Sequence, residues 1–533
     1  MTSTSTDALE TSLGKAQSLI DKALGYLSGD LDAEQLELYD LAFSQAEISA
    51  ARSLTRQAST DGSDILERTA QYFVADCVHS INNRLGARPK AYGLSRDELL
   101  DPVSIDAAFL PEAVTALGRL FLEQGVPEDK LADEQRIIRD TFHDFANEVV
   151  KPLAEKIHRQ DLTIPNEILM PLREMGCFGL SVPERYGGLK PDNREDSMGM
   201  VIVTEELSRG SLGAAGSLIT RPEIMARAIL EGGTEEQKQR WLPGLAAGNP
   251  LCAISVTEPN TGSDVASVAL KAEKVDGGWH LNGGKTWCTF AGKAGLVLVL
   301  ARTDPDPTLT HRGLSLFVVS KPATDDHNFE FDQAGGGRVT GRAIPTIGYR
   351  GMHSYEMFYD DYFVPDCDLI GEDAGLGRGF YFTMRGFMGG RLQTAARACG
   401  LMRAAMESAG SYALERKVFD KPVAHYPLSL AKFAKMGAYI CACKAFTGEV
   451  ADLMDTGTGA MEASLVKLLS CRAAEWVTRE AVQLYGGMGY AEESDVSRYF
   501  ADARVLSIFE GAEETLAIRV VGKALVSARK VSA

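Results

Sequence analysis

The sequence predicts a multidomain α+β protein in which helical regions precede and follow a middle β domain. Apolar residues recur at helical spacing over residues 12–126 and over much of 133–250. Short strand-like runs begin near Leu251, and long helical patterns return after Gly371. A chain of 533 residues is also too long for one hydrophobic core, so several domains are expected.

These changes of pattern divide the chain into four predicted segments. A doubly wound sheet would alternate strand and helix throughout, which does not fit this order. The segments are an N-terminal helical extension (1–132), an N-terminal α domain (133–250), a middle β-barrel or sandwich domain (251–372) and a C-terminal four-helix bundle (373–533). The bundle is predicted from four long helices with short connections, at 380–416, 428–454, 460–484 and 514–529.

The β domain is predicted from apolar runs separated by turn residues. Residues 278–284 (GWHLNGG) contain Asn282-Gly283, a pair typical of a hairpin turn, although an exposed loop uses the same pair. The run 295–301 (GLVLVLA) predicts a buried strand, and further strands are predicted at 314–319 and 356–359.

Composition disfavours several classes of partner and location. A formal charge of -18 argues against nucleic acid and anionic membranes. The apolar runs are shorter than the ~20 residues that a membrane span needs. Residues 1–13 contain no Arg and resemble no targeting peptide, so the cytoplasm is the expected compartment. The nine cysteines are expected to be reduced, and neither they nor the eight histidines show metal-ligand spacing, so no metal is predicted.

Two candidate sites lie in the predicted β domain. The loop 255–264 (SVTEPNTGSD) carries backbone donors and hydroxyls that suit an anion or a heteroaromatic edge, although a capped turn uses the same residues. Trp287 and Thr289 offer an aromatic face and a hydroxyl two residues apart, which in an extended chain point to one side. The alternative for Trp287 is a place in the core.

Two more candidate sites lie in the C-terminal helical region. Residues 483–490 (QLYGGMGY) leave a long helix through three glycines, where a backbone or a pyrophosphate can approach closely. Glu510 lies between Phe509 and Gly511, and desolvation beside an aromatic ring suits a general base. The alternative for Glu510 is a helix-start carboxylate. Residues 375–379 (GLGRG) lack the strand and spacing of a nicotinamide site.

In this order, from Asp133 to about Val526, the four motifs resemble those of the acyl-CoA dehydrogenase family. The segments 412–419 (YALERKVF) and 358–365 (FYDDYFVP) match the family as well. The resemblance implies an enzyme that binds FAD between the β domain and the bundle and oxidises an acyl-CoA thioester between its α and β carbons. It also implies an electron-transfer flavoprotein as electron acceptor and a homodimer or homotetramer.

The resemblance also implies roles for residues in the cofactor motifs. Val256, Thr257 and Ser263 would line the flavin ring and phosphates, with Trp287 against the ring and the Thr289 hydroxyl near N5. The residues that would reach the FAD of a neighbouring subunit are Arg416, Phe419, Gln483, Gly486 and Gly487.

Glu510 falls on the family's usual catalytic position, where it would remove the α proton while a hydride passes from Cβ to flavin N5. Phe509 and Gly511 flank it beside the substrate, and Arg391 falls where an arginine supports the CoA side. Some members carry the base at the position of Gly390, which leaves Glu510 as the matching carboxylate. The sequence departs from the family at residue 512, where Ala replaces the usual Thr and weakens one expected adenosine contact.

The extension at 1–132 resembles that of members that oxidise (2S)-methylsuccinyl-CoA to mesaconyl-CoA in the ethylmalonyl-CoA pathway. Such a substrate needs a cation for its distal carboxylate, and Arg221 is the candidate, although a surface ion pair would also explain this Arg. The alternatives are a straight-chain or branched monocarboxyl acyl-CoA dehydrogenase, an acyl-CoA oxidase, and an inactive FAD-binding scaffold.

Overall fold

The computed structural model describes residues 3–101 and 105–532. The chain divides into two compact units, the first formed by residues 1–140 and 394–533 and the second by residues 141–393. Among the described residues, no helix combines the length and the apolar character that a membrane span needs.

The helical character predicted for the N-terminal extension is confirmed. The extension helices of the first unit are α1 (Ser3–Tyr26), α2 (Gln35–Asp61), α3 (Asp64–Ala87) and α4 (Pro111–Gln124). Helix α4 begins with a proline at its first position, where no intrahelical N–H is needed, and a glycine follows its last residue.

The C-terminal helices of the first unit pack against these extension helices. The long helices α11 (Gly379–Glu415), α12 (Pro427–Asp455) and α13 (Ala460–Tyr485) agree with prediction to within one residue at each end. Helix α12 packs against α2, α3 and α4, and α13 packs against α2. The remaining segments are the short pair β9 (Lys417–Val418) and β10 (Lys421–Pro422), α14 (Asp495–Leu506), α15 (Glu513–Thr515), a π-helical segment (Leu516–Gly522) and α16 (Lys523–Ser532).

Close approach of α4 to α12 depends on two glycines. A Cβ on Gly118 of α4 would overlap the backbone carbonyl of Leu430, and a Cβ on Gly437 of α12 would overlap the ring of Phe121. Each helix therefore offers a glycine to the other, and the two backbones pack at a distance that side chains would prevent.

Helices and a sheet make up the second unit. Its helices are the end of α5 (Asp133–Phe145), a π-helical segment (Ala146–Val150), α6 (Lys151–Arg159), α7 (Asn166–Glu174), α8 (Ser197–Gly210), a second π-helical segment (Leu212–Gly216), α9 (Thr220–Gly232), α10 (Glu235–Ala246) and the start of α11. Thr234 caps α10 in a capping box with Gln237.

The sheet of the second unit has eight strands and mixed direction, with the order β1-β4-β2-β3-β8-β7-β6 and β5 paired to β4. Strand β1 runs parallel to β4, whereas β3, β7 and β8 pair antiparallel. The strands are β1 (Cys252–Ser255), β2 (Lys271–Val275), β3 (Gly278–Thr289), β4 (Leu296–Arg302), β5 (Leu314–Ser320), β6 (Asn328–Asp332), β7 (Arg338–Ala343) and β8 (Ser354–Pro365).

Strand β4 is the predicted buried strand, and both of its faces are covered. Leu296, Leu298 and Leu300 belong to one hydrophobic cluster, which includes residues of α9 and α10. Val297 and Val299 belong to a second cluster formed with β3 and β8. Burial on both faces explains why this strand is continuously apolar in sequence.

The hairpin predicted at Asn282-Gly283 is wrong. The turn lies instead at Asp276-Gly277, because Val275 pairs with Gly278 across β2 and β3. Asn282 lies inside β3, where its side chain exchanges two hydrogen bonds of 2.9 Å with the side chain and backbone N–H of Asp361 on β8. The pairing with β8 shifts register here, so the Asn-Gly pair marks a bulge rather than a turn.

Candidate active site

The Glu510 loop connects α14 and α15 in a strained conformation. Glu510 has φ +54°, a value that a helix-start residue does not adopt, so the helix-start alternative is wrong. The buried Lys467 ammonium of α13 donates hydrogen bonds to the carbonyls of Phe509 at 2.8 Å and Gly511 at 2.5 Å. Lys467 therefore holds the backbone on both sides of Glu510.

The carboxylate of Glu510 is buried against two side chains of α11. Its Oε2 accepts hydrogen bonds from Thr394 Oγ1 at 2.6 Å and from Arg397 Nη2 at 2.7 Å. The Arg397 side chain is fully buried, that of Glu510 is 9% exposed, and the guanidinium lies 4.8 Å from the centre of the Phe509 ring. Sequence reasoning missed Thr394 and Arg397, although their spacing of three places them on one face of a helix.

The loop expected beside the flavin is fixed to β3 by a buried ion pair in the second unit. Lys285 of β3 donates to Glu258 Oε1 at 2.8 Å and to the Val256 carbonyl at 2.9 Å. Glu258 also accepts hydrogen bonds from the backbone N–H groups of Ala269 and Leu270. Burial lowers the pKa of Lys285 against the opposing effect of Glu258. Sequence reasoning missed this pair, which holds the backbone beside Thr257.

Trp287 and Thr289 lie where β3 departs from regular geometry. Trp287 has φ +58° and is 54% exposed, so its expected alternative, a place in the core, is wrong. Thr289 Oγ1 is 2.9 Å from Ser354 Oγ of β8. The pairing of β3 with β8 shifts register between Lys285 and Cys288, so strand alternation does not decide which way these side chains point. A shared face for Trp287 and Thr289 stays a prediction.

The two motifs expected to reach a neighbouring FAD lie at adjoining helix ends in the first unit. Tyr412 near the end of α11 stacks on Tyr485 at the end of α13, with ring centres 4.0 Å apart. Arg416 and Phe419 follow the first helix, and Gln483 adjoins the second helix end. Phe419 is 88% exposed, and Arg416 and Gln483 are exposed as well.

The three glycines of this motif have different structural roles. Gly486 has φ +62° at the end of α13, and a Cβ on Gly486 or Gly487 would meet no atom within 4 Å. A Cβ on Gly489 would instead overlap the Val482 carbonyl, so this glycine is explained by packing. Open space beside Gly486 and Gly487 is the arrangement that a closely approaching pyrophosphate needs.

The second unit contains a buried hydroxyl that contacts within the protein do not explain and that a bound flavin would. Thr261 Oγ1 is buried with no hydrogen-bond partner among the described residues, and it lies in the loop that contains Thr257 and Ser263. A buried hydroxyl without a partner is costly, so a ligand atom at this loop would stabilise it. Together with the exposed ring of Trp287, the residues present fit a polar heteroaromatic cofactor.

Arg221 lies in the first turn of α9 and is 6% exposed. Its Nη1 donates to the Ser217 carbonyl at 2.6 Å and its Nη2 to the Tyr349 hydroxyl at 3.0 Å. Within residues 3–101 and 105–532 no carboxylate forms an ion pair with it. The surface ion pair considered as an alternative is therefore wrong, and Arg221 is a buried cation with neutral partners.

A second buried carboxylate lies near Gly390, the alternative position for the base. A Cβ on the neighbouring Gly389 would overlap Glu223 Oε1, so Glu223 of α9 packs directly against this part of α11. Glu223 is 2% exposed and accepts hydrogen bonds from Arg227 at 2.8 Å and from Gln393. Sequence reasoning missed Glu223 because it is distant in sequence. Arg391 lies half-buried on the same helix as Gly389.

Asp161, His327 and His353 converge in the second unit, which their spacing in sequence did not indicate. One ligand atom from each lies within 4.8 Å of the others. His353 Nε2 is 3.1 Å from Asp161 Oδ1, and Arg350 Nε is 3.6 Å from the same oxygen. The Arg350 guanidinium already supplies a positive charge to Asp161, and the His327 ring packs 4.4 Å from the His353 ring, so contacts within the protein explain the cluster.

Three family models match successive parts of this chain. The N-terminal domain of acyl-CoA dehydrogenase matches residues 132–249, the middle domain residues 253–362 and the C-terminal domain residues 377–526. The helical, β and helical order predicted from the sequence is thereby confirmed.

Individual relatives agree with these matches. The (2S)-methylsuccinyl-CoA dehydrogenase of Cereibacter sphaeroides is 42% identical over 398 residues, which are 74% of this chain and 70% of that protein. The structure of butyryl-CoA dehydrogenase from Megasphaera elsdenii is similar with a TM-score of 0.67 and 29% identity, covering 75% of this chain and 100% of the other. A glutaryl-coenzyme A dehydrogenase in complex with glutaryl-CoA has a TM-score of 0.66 and 26% identity, with 74% and 95% coverage.

Proposed function

The chain belongs to the acyl-CoA dehydrogenase family of FAD-dependent oxidoreductases, and from that premise we propose that it oxidises (2S)-methylsuccinyl-CoA to mesaconyl-CoA. The proposal is supported by the 42% identity to a (2S)-methylsuccinyl-CoA dehydrogenase over 398 residues. It is carried by one structural observation, the buried guanidinium of Arg221.

Arg221 supports a substrate with a distal carboxylate because its charge has no counter-charge in the described residues. A buried, unpaired cation is destabilising, and a family member for a purely apolar acyl chain has no need of one. A carboxylate of the substrate would supply the missing charge and receive a bidentate hydrogen bond. Glutaryl-CoA, seen in the complex of a similar protein, also carries a distal carboxylate.

In the proposed reaction Glu510 removes the α proton of the thioester. The buried carboxylate is fixed by Arg397 and Thr394, and Lys467 fixes the backbone that carries it. FAD, when bound, would supply the hydride acceptor for this oxidation. The Phe509 ring and Gly511 border the base. Within the second unit, Trp287 and the loop near Thr257 are the residues that would hold the cofactor.

We assign electron transfer from the reduced enzyme to an electron-transfer flavoprotein. The exposed group around Phe419 supports a homo-oligomer, because an aromatic side chain that is 88% exposed is stabilised when a second subunit covers it. A dimer and a tetramer both satisfy this requirement. Arg391 is assigned to the CoA side of the substrate.

Anaerobic reduction of the flavin by a panel of CoA esters tests the substrate. The panel contains (2S)-methylsuccinyl-CoA, glutaryl-CoA, butyryl-CoA and 2-methylbutyryl-CoA, which carries a methyl group where methylsuccinyl-CoA carries its distal carboxylate. We expect methylsuccinyl-CoA to bleach the flavin fastest, by about 100-fold over 2-methylbutyryl-CoA if one charged pair of ~3 kcal/mol is involved. Equal rates for these two esters would refute the substrate assignment.

Rapid peroxide formation in air, rather than reduction of an electron-transfer flavoprotein, would identify an oxidase instead. A protein that binds FAD but is bleached by none of the esters would identify a scaffold. The panel therefore separates all the alternatives that the sequence leaves open.

A further inference from the structure

The two oxygens of the Glu510 carboxylate have different surroundings. Oε2 accepts hydrogen bonds from both Thr394 and Arg397, at 2.6 and 2.7 Å. Oε1 accepts none from any residue that the structure describes. A carboxylate oxygen that takes a proton from carbon needs a free lone pair, and Oε1 alone meets that condition.

We infer that Arg397 and Thr394 are positioning residues that hold Oε2 and leave Oε1 to receive the α proton. The inference rests on the proposed function, in which Glu510 is the base. It assigns a role to two residues of α11 that touch the base and not the reacting carbon.

Arg397 orients the Glu510 carboxylate but does not make proton transfer to it more favourable. A buried carboxylate without a counter-charge is costly, and the fully buried guanidinium supplies that charge. Proton transfer to Glu510 removes its negative charge and weakens its attraction to Arg397. The pair therefore gives no energy to proton abstraction, and its benefit lies in the direction in which Oε1 points.

Three contacts make this placement rigid. Arg397 Nη2 also donates to Thr394 Oγ1 at 2.7 Å, so the two donors and Oε2 form a closed triangle. The guanidinium packs over the Phe509 ring, and Lys467 holds the carbonyls on each side of Glu510. A displacement of ~1 Å at a reacting group costs roughly 100-fold in rate, which sets the size of the expected effect.

The test uses the FAD-loaded, full-length enzyme and the variants Arg397→Gln, Arg397→Lys and Thr394→Val. Stopped-flow flavin reduction by (2S)-methylsuccinyl-CoA gives the limiting rate, and the concentration dependence gives substrate affinity. We expect Arg397→Gln to lower the limiting rate about 100-fold, with substrate affinity within about threefold of wild type. Arg397→Lys, which restores a donor and a charge, should recover part of the rate.

An α-deuterated substrate provides a readout that a merely structural role would not move. If Arg397 positions the base, proton abstraction becomes slower in Arg397→Gln and the α-deuterium isotope effect on flavin reduction increases. An isotope effect equal to that of wild type, or a wild-type limiting rate with full FAD content, would overturn the inference. If Arg397→Gln does not fold, Thr394→Val carries the same test, because it removes a donor to Oε2 without leaving a charge unpaired.

Arg84→Gln is the matched control. Arg84 forms a partly buried ion pair of 2.6 Å with Glu47 in the same unit and does not contact the Glu510 loop. The Arg84→Gln variant should lower the free energy of unfolding and leave the rate of flavin reduction unchanged. Glu510→Gln separates the two proposals: normal flavin reduction in this variant refutes the base assignment, whereas an inactive Glu510→Gln beside a fully active Arg397→Gln refutes only the positioning role.

Discussion

Replacing Arg221 with Met should remove the preference for a dicarboxyl substrate and should stabilise the folded, ligand-free protein. Arg221 has five N–H donors, of which the Ser217 carbonyl and the Tyr349 hydroxyl use two, so three are left for a substrate carboxylate. Hydrogen bonds to charged groups contribute about 1.5–3 kcal/mol each. Loss of a bidentate pair should therefore cost at least about 3 kcal/mol, or roughly 100-fold in kcat/KM.

The assay compares (2S)-methylsuccinyl-CoA with 2-methylbutyryl-CoA in wild type and variant. Arg221→Met should lower kcat/KM about 100-fold for the dicarboxyl ester and leave the monocarboxyl ester unchanged or improved. Arg221→Lys keeps the charge but lacks the planar guanidinium, so its kcat/KM for the dicarboxyl ester should lie between those of wild type and Arg221→Met. The ligand-free Met variant should also unfold at a higher temperature, because a buried cation without a counter-charge has been removed. Equal losses with both esters would refute the reasoning.

Three further predictions concern packing, pH and the cofactor. Gly118→Ala should lower the free energy of unfolding by about 2 kcal/mol or more in urea denaturation, because the new methyl overlaps the Leu430 carbonyl. Gly14→Ala is its control, because a Cβ on Gly14 of α1 would meet no atom within 4 Å, and this variant should raise the free energy of unfolding by up to about 1 kcal/mol. Equal changes in the two variants would contradict the packing argument. Burial lowers the pKa of His353 more than Asp161 raises it. His353 therefore binds a proton more readily in the unfolded state than in the folded state, and the folded protein loses stability as pH falls below ~6.5. His353→Gln should therefore show a smaller loss of unfolding temperature between about pH 7 and pH 5, and an unchanged loss would count against this origin. Gly487→Val should reduce FAD content, measured by the absorbance ratio of flavin to protein, whereas full occupancy would show that the open space is not used.

The order of helical and β regions along the chain could be predicted because each region has a strong local pattern of apolar residues. The apolar spacing of α11, α12 and α13 placed their ends within one residue, and the run of β4 is apolar because both of its faces are buried. The hairpin failed for the opposite reason. Asp276-Gly277 and Asn282-Gly283 are equally good turn signals, and only the pairing of β3 with β2 decides which of them is the turn.

The candidate base was found by its motif, but its environment was not. Thr394 and Arg397 lie more than 110 residues before Glu510, and the hydrogen bonds that join them depend on how α11 packs. Arg221 was found as a cation, yet its burial and lack of a carboxylate partner are properties of the folded chain. Lys285 and Glu258 were missed because a buried ion pair leaves no periodic signal.

Single-turnover reduction of FAD-loaded Glu510→Gln tests most directly whether Glu510 removes the α proton of a CoA thioester. Glu223→Gln is the matched control, since it makes the same substitution at a buried carboxylate near Gly390. We expect (2S)-methylsuccinyl-CoA to bind Glu510→Gln yet leave its flavin oxidised, while Glu223→Gln is still bleached. Normal bleaching of Glu510→Gln together with an unreactive Glu223→Gln would contradict the account and transfer the role of the base to Glu223.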